Sequence, residues 1–338
     1  MTRQIKVFLI RHGETVDNVA QVYAGSRDSE LTNHGYQQAT KLGLHFKALD
    51  LSFTHIFSSH LQRAAKTAGL IRDAQATAVA EPDSASEVPD VVQLPTLMEQ
   101  DFGYYEGKKF HERAADSKLT GKEHHRQEHK DTAGFVDVES KDSLAQRADT
   151  FLDGHLLPLL EESISSTNYV VAVVSHGIML SNLWKRLLLR LPPKSVAFSP
   201  KLVVTERNSL EHLGGWSNTG YLGLHMTRVE APGNPSRGSK GNTGVTVANL
   251  PPSHGQKKPS SSTDGPSQDI PDTSTQSAEV PTPLSPCKVA YGWTTVIQTI
   301  NGKDHLLGLK RTGGGVGSSR HDSSQKNIES FFKRGKMV

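Results

Sequence analysis

The stretch Val7-Phe8-Leu9-Ile10-Arg11-His12-Gly13-Glu14-Thr15 decides how the first part of the chain folds. Its apolar start predicts a short buried strand that ends at an arginine and a histidine. A second apolar run, residues 170–174, is rich in valine, predicts a buried parallel strand and ends in Ser175-His176-Gly177. Because ligands bind outside the carboxyl ends of strands in doubly wound sheets, we expect His12 and His176 to meet in one pocket.

The segments around these strands have the apolar periodicity of helices. Predicted helices span residues 32–49, 61–74, 143–162 and 178–191; Thr32 is the N-cap of the first, and two prolines end the last. Another strand is predicted at residues 53–57. Strands that alternate with helices predict an α/β fold, with a mainly parallel sheet flanked by helices on both faces.

Three further polar residues accompany the two histidines. Asn18 follows in the first loop, Arg63 lies in Ser58-Ser59-His60-Leu61-Gln62-Arg63-Ala64, and Glu99 lies in Met98-Glu99-Gln100-Asp101-Phe102-Gly103. In this order the set resembles the histidine phosphatase superfamily, which includes the cofactor-dependent phosphoglycerate mutases and the fructose-2,6-bisphosphatases. The resemblance covers residues 5–230 and implies a phosphoglycerate mutase-like fold.

The residue types suit phosphoryl transfer. A neutral imidazole can attack phosphorus, so His12 is the natural nucleophile, and the permanent charges of Arg11 and Arg63 suit phosphoryl oxygens. The resemblance implies that Glu99 is the general acid and base and that His176 is a second histidine of the phosphate pocket. Asn18 would add a neutral donor. The set implies no metal and no other cofactor.

Each of these residues also has a structural interpretation. Arg63 alone could be a surface ion-pair partner, Glu14 could orient its loop, and Thr15 could cap a helix. The three histidines 124, 125 and 129 suggest a metal cluster, but the surrounding charged residues favour a solvated insertion.

Composition divides the 338 residues into four parts. Residues 1–230 form the predicted histidine phosphatase domain, and residues 231–290 form a Pro/Ser/Gly-rich insertion that we expect to be disordered. Residues 291–311 predict a β-hairpin around Asn301-Gly302 that completes the catalytic sheet. Residues 312–338 are expected to form a flexible tail.

The tail contains a second informative motif. Gln325, Ile328, Phe331 and Phe332 occupy the defining positions of a PCNA-interacting peptide, the PIP box, within residues 325–332. One helical turn at this spacing places the three apolar side chains on one face, and basic residues follow them. The alternative is an amphipathic helix that docks on its own domain. We therefore expect the PCNA sliding clamp as a partner.

Charge and apolar runs exclude other functions. The net charge of +3 is small for this length, which argues against direct nucleic-acid binding. No apolar run reaches the about 20 residues of a membrane span, and the first one is too short for a secretory signal. The single cysteine, Cys287, fits a reducing compartment. We expect an intracellular protein, nuclear or cytoplasmic or both.

These observations lead to three functional hypotheses. The first is a metal-independent phosphatase for a small phosphorylated metabolite, such as a sugar phosphate or bisphosphate. The second is a phosphoglycerate-type phosphomutase, which needs a lid that keeps water from the phosphohistidine; the charged residues 108–142 are the candidate lid. The third is a PCNA-associated adaptor that uses the fold as a scaffold.

Overall fold

The computed structural model describes residues 3–76, 88–109, 126–127, 129–161, 168–202, 209–228, 289–313 and 315–322. The chain divides into a unit of Met1–Ala231 with Cys287–Val338, and a unit of Pro232–Pro286. The whole second unit lies outside the described residues. So do the predicted disordered insertion up to residue 288, Cys287, His124, His125 and the PIP-box-like peptide.

A sheet of seven strands organises the described part of the chain. In chain order the strands are β1 (Arg3–Arg11), β2 (His55–Ser59), β3 (Val91–Leu94), β4 (Tyr169–Ser175), β5 (Val196–Phe198), β6 (Tyr221–Arg228) and β7 (Trp293–Gly302). Their order across the sheet is β3-β2-β4-β1-β6-β7-β5. Only β6 runs antiparallel to its neighbours, so the mainly parallel sheet is confirmed.

The helices follow the predicted segments with small shifts. They are α1 (Val16–Ala20), α2 (Asn33–Ala48), α3 (Gln62–Ala76), α4 (Lys141–Phe151), α5 (Leu157–Glu161) and α6 (Gly177–Arg190). Thr32 caps α2 as expected, since its side chain accepts from the amide of Gly35. The predicted helix 143–162 is interrupted by a π-helical turn at Leu152–Leu156, which separates α4 from α5.

Helices cover the sheet on both faces. Along β1 the buried side chains alternate: Val7 and Leu9 belong to one apolar cluster, with residues of α4, α5 and α6. Phe8 and Ile10 belong to the other, with residues of α2 and α3. This alternation is the period of two that a strand imposes on its side chains. Because apolar clusters cover both of its faces, β1 is the buried middle strand of the sheet.

The predicted hairpin at residues 291–311 is wrong in its second half. Its first strand forms as β7 and pairs with β6, but the chain then enters a 3-10 turn at Asp304–Leu306. Asn301 has the positive φ of 47° that a tight turn needs. Its side chain, however, accepts from the amide of Ser217 and donates to the Ser217 hydroxyl, so it is bonded to a distant loop and not within a hairpin turn. A Cβ at Gly302 would lie 2.8 Å from the ring of Tyr221, so this glycine permits close packing. The strand beyond β7, at this edge of the sheet, is β5 and not a second hairpin strand.

The flexible tail predicted from residue 312 is also wrong for residues 315–322. Arg311 and Arg320 pair with Glu14 and Glu30, and the ring of His321 stacks on Tyr36 at 3.8 Å between centroids. The segment therefore lies against the start of α2. Within the described part of the chain, no helix has both the length and the hydropathy needed to cross a membrane.

Candidate active site

Two neighbouring strand ends bring the predicted histidines together. In the register of β1 with β4, Arg11 lies opposite Ser175, so the next residue on each strand is a histidine. The His12 amide donates to the carbonyl of Ser175 at 3.0 Å. The two imidazole rings lie 5.1 Å apart between centroids, so the structure brings the two histidines close together.

Hydrogen bonding fixes the tautomer of His12. Its Nδ1 lies 2.7 Å from the carbonyl oxygen of Gly13, and a carbonyl can only accept, so Nδ1 carries the hydrogen. Burial, followed by the charges of Arg63 and Arg11, lowers the pKa of His12 well below its usual value. The ring is therefore neutral at physiological pH, and the Nε2 lone pair is available for attack.

His176 has the opposite tautomer. Arg63 Nε donates to His176 Nδ1 at 3.1 Å, so the neutral ring carries its hydrogen on Nε2. Burial, then Arg63 and His12, lower the pKa of His176 well below its usual value. Its Nε2 is buried and has no hydrogen-bond partner within the described part of the chain. An unused buried donor is costly unless a ligand accepts from it.

Arg11 supplies a second unused donor. One of its terminal nitrogens donates to the carbonyl of Trp216 at 2.5 Å, while Nε is buried and unpartnered among the described residues. Burial lowers the pKa of Arg11 and the charge of Glu99 opposes this shift, which identifies Glu99 as a near neighbour. Two orphan donors, from Arg11 and His176, thus accompany the free lone pair of His12.

Arg63 is only 1% exposed, and most of its donors are already used. Besides the bond to His176, it donates to the backbone carbonyls of Arg27, Ala24 and Gly25 at 2.8, 3.1 and 2.8 Å. Four of its five N–H groups are therefore committed, and one remains. Arg63 holds the 24–27 loop and orients His176, and it can give at most one bond to a substrate.

Glu99 lies at the start of α6. Its Oε1 accepts from the amides of Gln100 and Met179, both at 2.9 Å, and its Oε2 accepts from Ile178 at 3.1 Å. Each carboxylate oxygen has about two acceptor positions, so Oε1 is saturated and Oε2 keeps one free. Oε2 is consequently the oxygen that can exchange a proton with a substrate. The same contacts make Glu99 a cap for the helix.

Asn18 and Thr15 form a capping box at α1, which confirms the capping interpretation of Thr15. The Oδ1 of Asn18 accepts from the amide of Thr15 at 3.2 Å and from Nδ2 of Asn218 at 3.1 Å. Its own Nδ2 makes no hydrogen bond to the described residues, so it is available as a neutral donor.

Sequence reasoning missed the residues that hold the loop after His12. Gly13 donates to Thr67, one helical turn after Arg63, and Glu14 donates to Gln38. A Cβ on Gly13 would lie 2.6 Å from the carbonyl oxygen of Gly35, so this glycine lets α2 approach the loop. Asn218 lies in a stretch of polar residues that resembles an ordinary turn. Spacing along a helix could have suggested Thr67, but only the fold brings Asn218 to the site.

The described residues contain no group of three or more histidine, cysteine, aspartate or glutamate side chains suited to a metal ion. The site instead combines one nucleophilic lone pair, two unused donors, two guanidinium charges and a glutamate with a free acceptor position. Such a set is matched to an anion that accepts hydrogen bonds and undergoes displacement.

A family profile agrees with this geometry. The profile of the histidine phosphatase superfamily, branch 1, matches residues 7–198, which is more than half of the chain. The chain belongs to this superfamily. A protein of Schizosaccharomyces pombe named as a probable phosphatase is 34% identical over 54% of this chain and 56% of its own length. A probable phosphoglycerate mutase, GpmB, of Erwinia tasmaniensis is 32% identical over 54% of this chain and 75% of its own length.

The chain thus spans little more than half the length of the fission-yeast relative. Among solved structures, a protein titled mycobacterial hydrolase 1 has a TM-score of 0.46 and 22% identity, covering 66% of this chain and 93% of that chain. The family profile ends before β6, so Asn218 and the strands β6 and β7 lie beyond the matched residues.

Proposed function

We propose that this protein hydrolyses a small phosphomonoester through a phosphohistidine on His12. One observation carries the proposal: two buried donors without partners, Arg11 Nε and His176 Nε2, accompany the free Nε2 lone pair of His12. A phosphoryl group offers acceptor oxygens to the donors and an electrophile to the lone pair. The description of the fission-yeast relative as a probable phosphatase also supports this activity.

The first chemical step forms a bond between His12 Nε2 and phosphorus while the bond from phosphorus to the ester oxygen breaks. Arg11 and His176 donate to the phosphoryl oxygens, and Asn18 adds a neutral donor. Glu99 gives a proton from Oε2 to the departing alkoxide. In the second step Glu99 takes a proton from water, the water oxygen attacks phosphorus, and the bond to His12 breaks. Inorganic phosphate leaves and every group returns to its first state.

Turnover of a panel of phosphorylated metabolites tests this proposal. We expect phosphate release to persist in EDTA and to vanish in His12→Ala. His60→Ala is a matched control, because His60 is an exposed histidine just after β2. Full activity of His12→Ala, or loss of activity in EDTA, contradicts the mechanism.

A phosphomutase is the second candidate, because the name of the GpmB relative favours it. The candidate lid, residues 108–142, is described only in part. A mutase returns the phosphoryl group to a substrate hydroxyl faster than to water. Incubation with a single phosphoglycerate isomer separates the two: a mutase forms the other isomer before free phosphate, whereas a phosphatase releases phosphate without it.

We also propose that residues 325–332 bind the PCNA sliding clamp and bring the enzyme to the nucleus. The support is the spacing of Gln325, Ile328, Phe331 and Phe332 in the sequence. Buried aromatic anchors dominate such interfaces. Calorimetric titration of the full chain against PCNA should show binding that Phe331→Ala with Phe332→Ala removes. Unchanged binding by the double variant contradicts this role for the peptide, and no heat from the intact chain contradicts both this role and the adaptor hypothesis.

A further inference from the structure

Asn218 joins the end of the catalytic strand to α1. It lies in the loop before β6, and its Nδ2 donates to the backbone oxygen of His12 at 3.3 Å and to Oδ1 of Asn18 at 3.1 Å. An amide nitrogen has two hydrogens, so both are used. The mechanism proposed above assigns no role to Asn218.

These contacts decide which way the amide of Asn18 faces. Its Oδ1 also accepts from the amide of Thr15, so two donors converge on one oxygen. If the amide flipped, its NH2 group would face two N–H donors and lose both bonds. Asn218 therefore keeps the oxygen of Asn18 turned towards the protein and leaves its NH2 group as the free end.

Asn218 is itself held by a buried chain of hydrogen bonds. The hydroxyl of Thr219 donates to the carbonyl of Asn218 at 2.7 Å. His305 Nε2 lies 2.8 Å from the same hydroxyl oxygen, and because the hydroxyl hydrogen is committed, His305 is the donor. His305 is 7% exposed and comes from the turn after β7. Burial, with smaller contributions from His45 and Lys41, lowers its pKa to about 4, so it remains neutral near pH 7.

We infer that Asn218, held by Thr219 and His305, is a positioning residue that keeps the amide of Asn18 turned as a donor to the phosphoryl group. This inference rests on the proposed function, since that function gives Asn18 its phosphoryl contact. A purely structural role for Asn218 would affect folding stability alone. A positioning role also changes the affinity for phosphate, and the change passes through Asn18.

A double-mutant cycle on the full chain separates these roles, with inorganic phosphate as a competitive inhibitor of aryl phosphate hydrolysis. Asn218→Asp replaces the donor to Oδ1 of Asn18 with a carboxylate. A charge-assisted bond from the NH2 group of Asn18 to this carboxylate outweighs the neutral bond from the Thr15 amide, so Asn18 turns its NH2 group inward and presents oxygen to phosphate. We expect Asn18→Ala and Asn218→Asp each to raise the phosphate Ki by about tenfold, the value of one hydrogen bond to a charged group. In the Asn18→Ala background, Asn218→Asp should add less than about twofold, because the two residues act as one unit.

Asn301→Asp is the matched control, since it adds a carboxylate beside the same loop and keeps the Oδ1 that accepts from Ser217. We expect its phosphate Ki to stay within about twofold of the parent, as for independent sites. A full tenfold effect of Asn218→Asp in the Asn18→Ala background overturns the inference, because the carboxylate then acts by charge or by loop shape. An unchanged Ki in either single variant overturns it as well.

If Asn218→Asp does not fold, Thr219→Val replaces it in the cycle, because it removes the hydroxyl that holds Asn218. It should raise the phosphate Ki in the parent and leave it unchanged in Asn18→Ala; any other pattern overturns the inference. Failure of the proposed function has a different signature. In that case His12→Ala retains turnover, whereas failure of this inference alone leaves the need for His12 intact.

Discussion

Replacing Glu99 with glutamine separates its proposed acid role from its capping role. Glutamine can keep the Oε1 bonds from Gln100 and Met179, but its NH2 group then faces the amide of Ile178. The lost charge-assisted bond corresponds to about 1.5–3 kcal/mol of folding stability. For a domain of this size that is a fall in Tm of roughly 3–12 °C. Turnover must therefore be measured well below the new Tm.

The loss of activity should depend on the leaving group. An alkyl phosphate such as glycerol phosphate needs a proton on its departing oxygen, so Glu99→Gln should slow it by about 10²–10⁴-fold. An aryl phosphate releases a stable phenolate, and its first step should slow by less than about tenfold. The assay compares single-turnover rates on both substrates by rapid quench, so that the first step is observed alone.

Glu106→Gln is the matched control. Glu106 also accepts from several backbone amides, those of Gly25, Ser26, Arg27 and Phe102, but no proton transfer is assigned to it. It should lose stability and slow both substrates by the same factor. If Glu99→Gln also slows the alkyl and aryl substrates equally, Glu99 is a structural cap and the acid role is refuted.

Three further predictions concern stability. The unfolded chain protonates His305 below its usual pKa of 6.5, whereas the folded chain does so only near 4, so stability should fall as pH drops through that window. Each pKa unit corresponds to about 1.4 kcal/mol, reduced for solvent screening, so the protonation of His305 should lower the free energy of unfolding by about 2 kcal/mol between about pH 7 and pH 4.5. His305→Gln should remove this loss in urea unfolding; an unaltered pH profile would contradict the prediction. Arg311→Ala removes the partly exposed ion pair with Glu14, so it should lower the free energy of unfolding by about 1 kcal/mol at low salt and by less at high salt. A salt-independent loss would argue against an ionic contact. Deleting residues 232–286 and joining the ends with a short linker should preserve Tm and activity, because β6 and β7 on either side pair with each other; a large fall in Tm would count against a dispensable insertion.

The strands that end at His12 and His176 could be predicted because their signals are local and strong. An apolar run that ends in His-Gly indicates both a buried strand and the placement of its histidine, and the parallel register then brings His12 and His176 together. The Asn301-Gly302 pair was misleading, because the side chain of Asn301 bonds to Ser217, far away in the sequence. Turn propensity is a weak preference that tertiary contacts can override.

Contacts between residues that are distant in the sequence also explain what could not be predicted about the tail and about the residues that hold Asn18. The sequence predicts a flexible tail from residue 312, but Arg320 in this segment forms an ion pair with Glu30, close to the start of the chain. No sequence motif marks Asn218 or His305. Their positions follow from the sheet, in which β6 pairs with β1 and β7 pairs with β6. Local periodicity reports which face of an element is buried, and it carries no information on distant polar partners.

The most direct test of the central claim is to trap and map the phosphoenzyme in Glu99→Gln with an aryl phosphate. The first step then needs no acid, while the second step lacks its base, so the phosphoenzyme should accumulate. We predict a burst of one phenolate per enzyme and, after a denaturing quench, a phosphoryl group on Nε2 of His12, because Nδ1 is occupied by its bond to Gly13. A phosphoryl group on Nδ1 or on His176, or a burst without any phosphohistidine, would contradict the account.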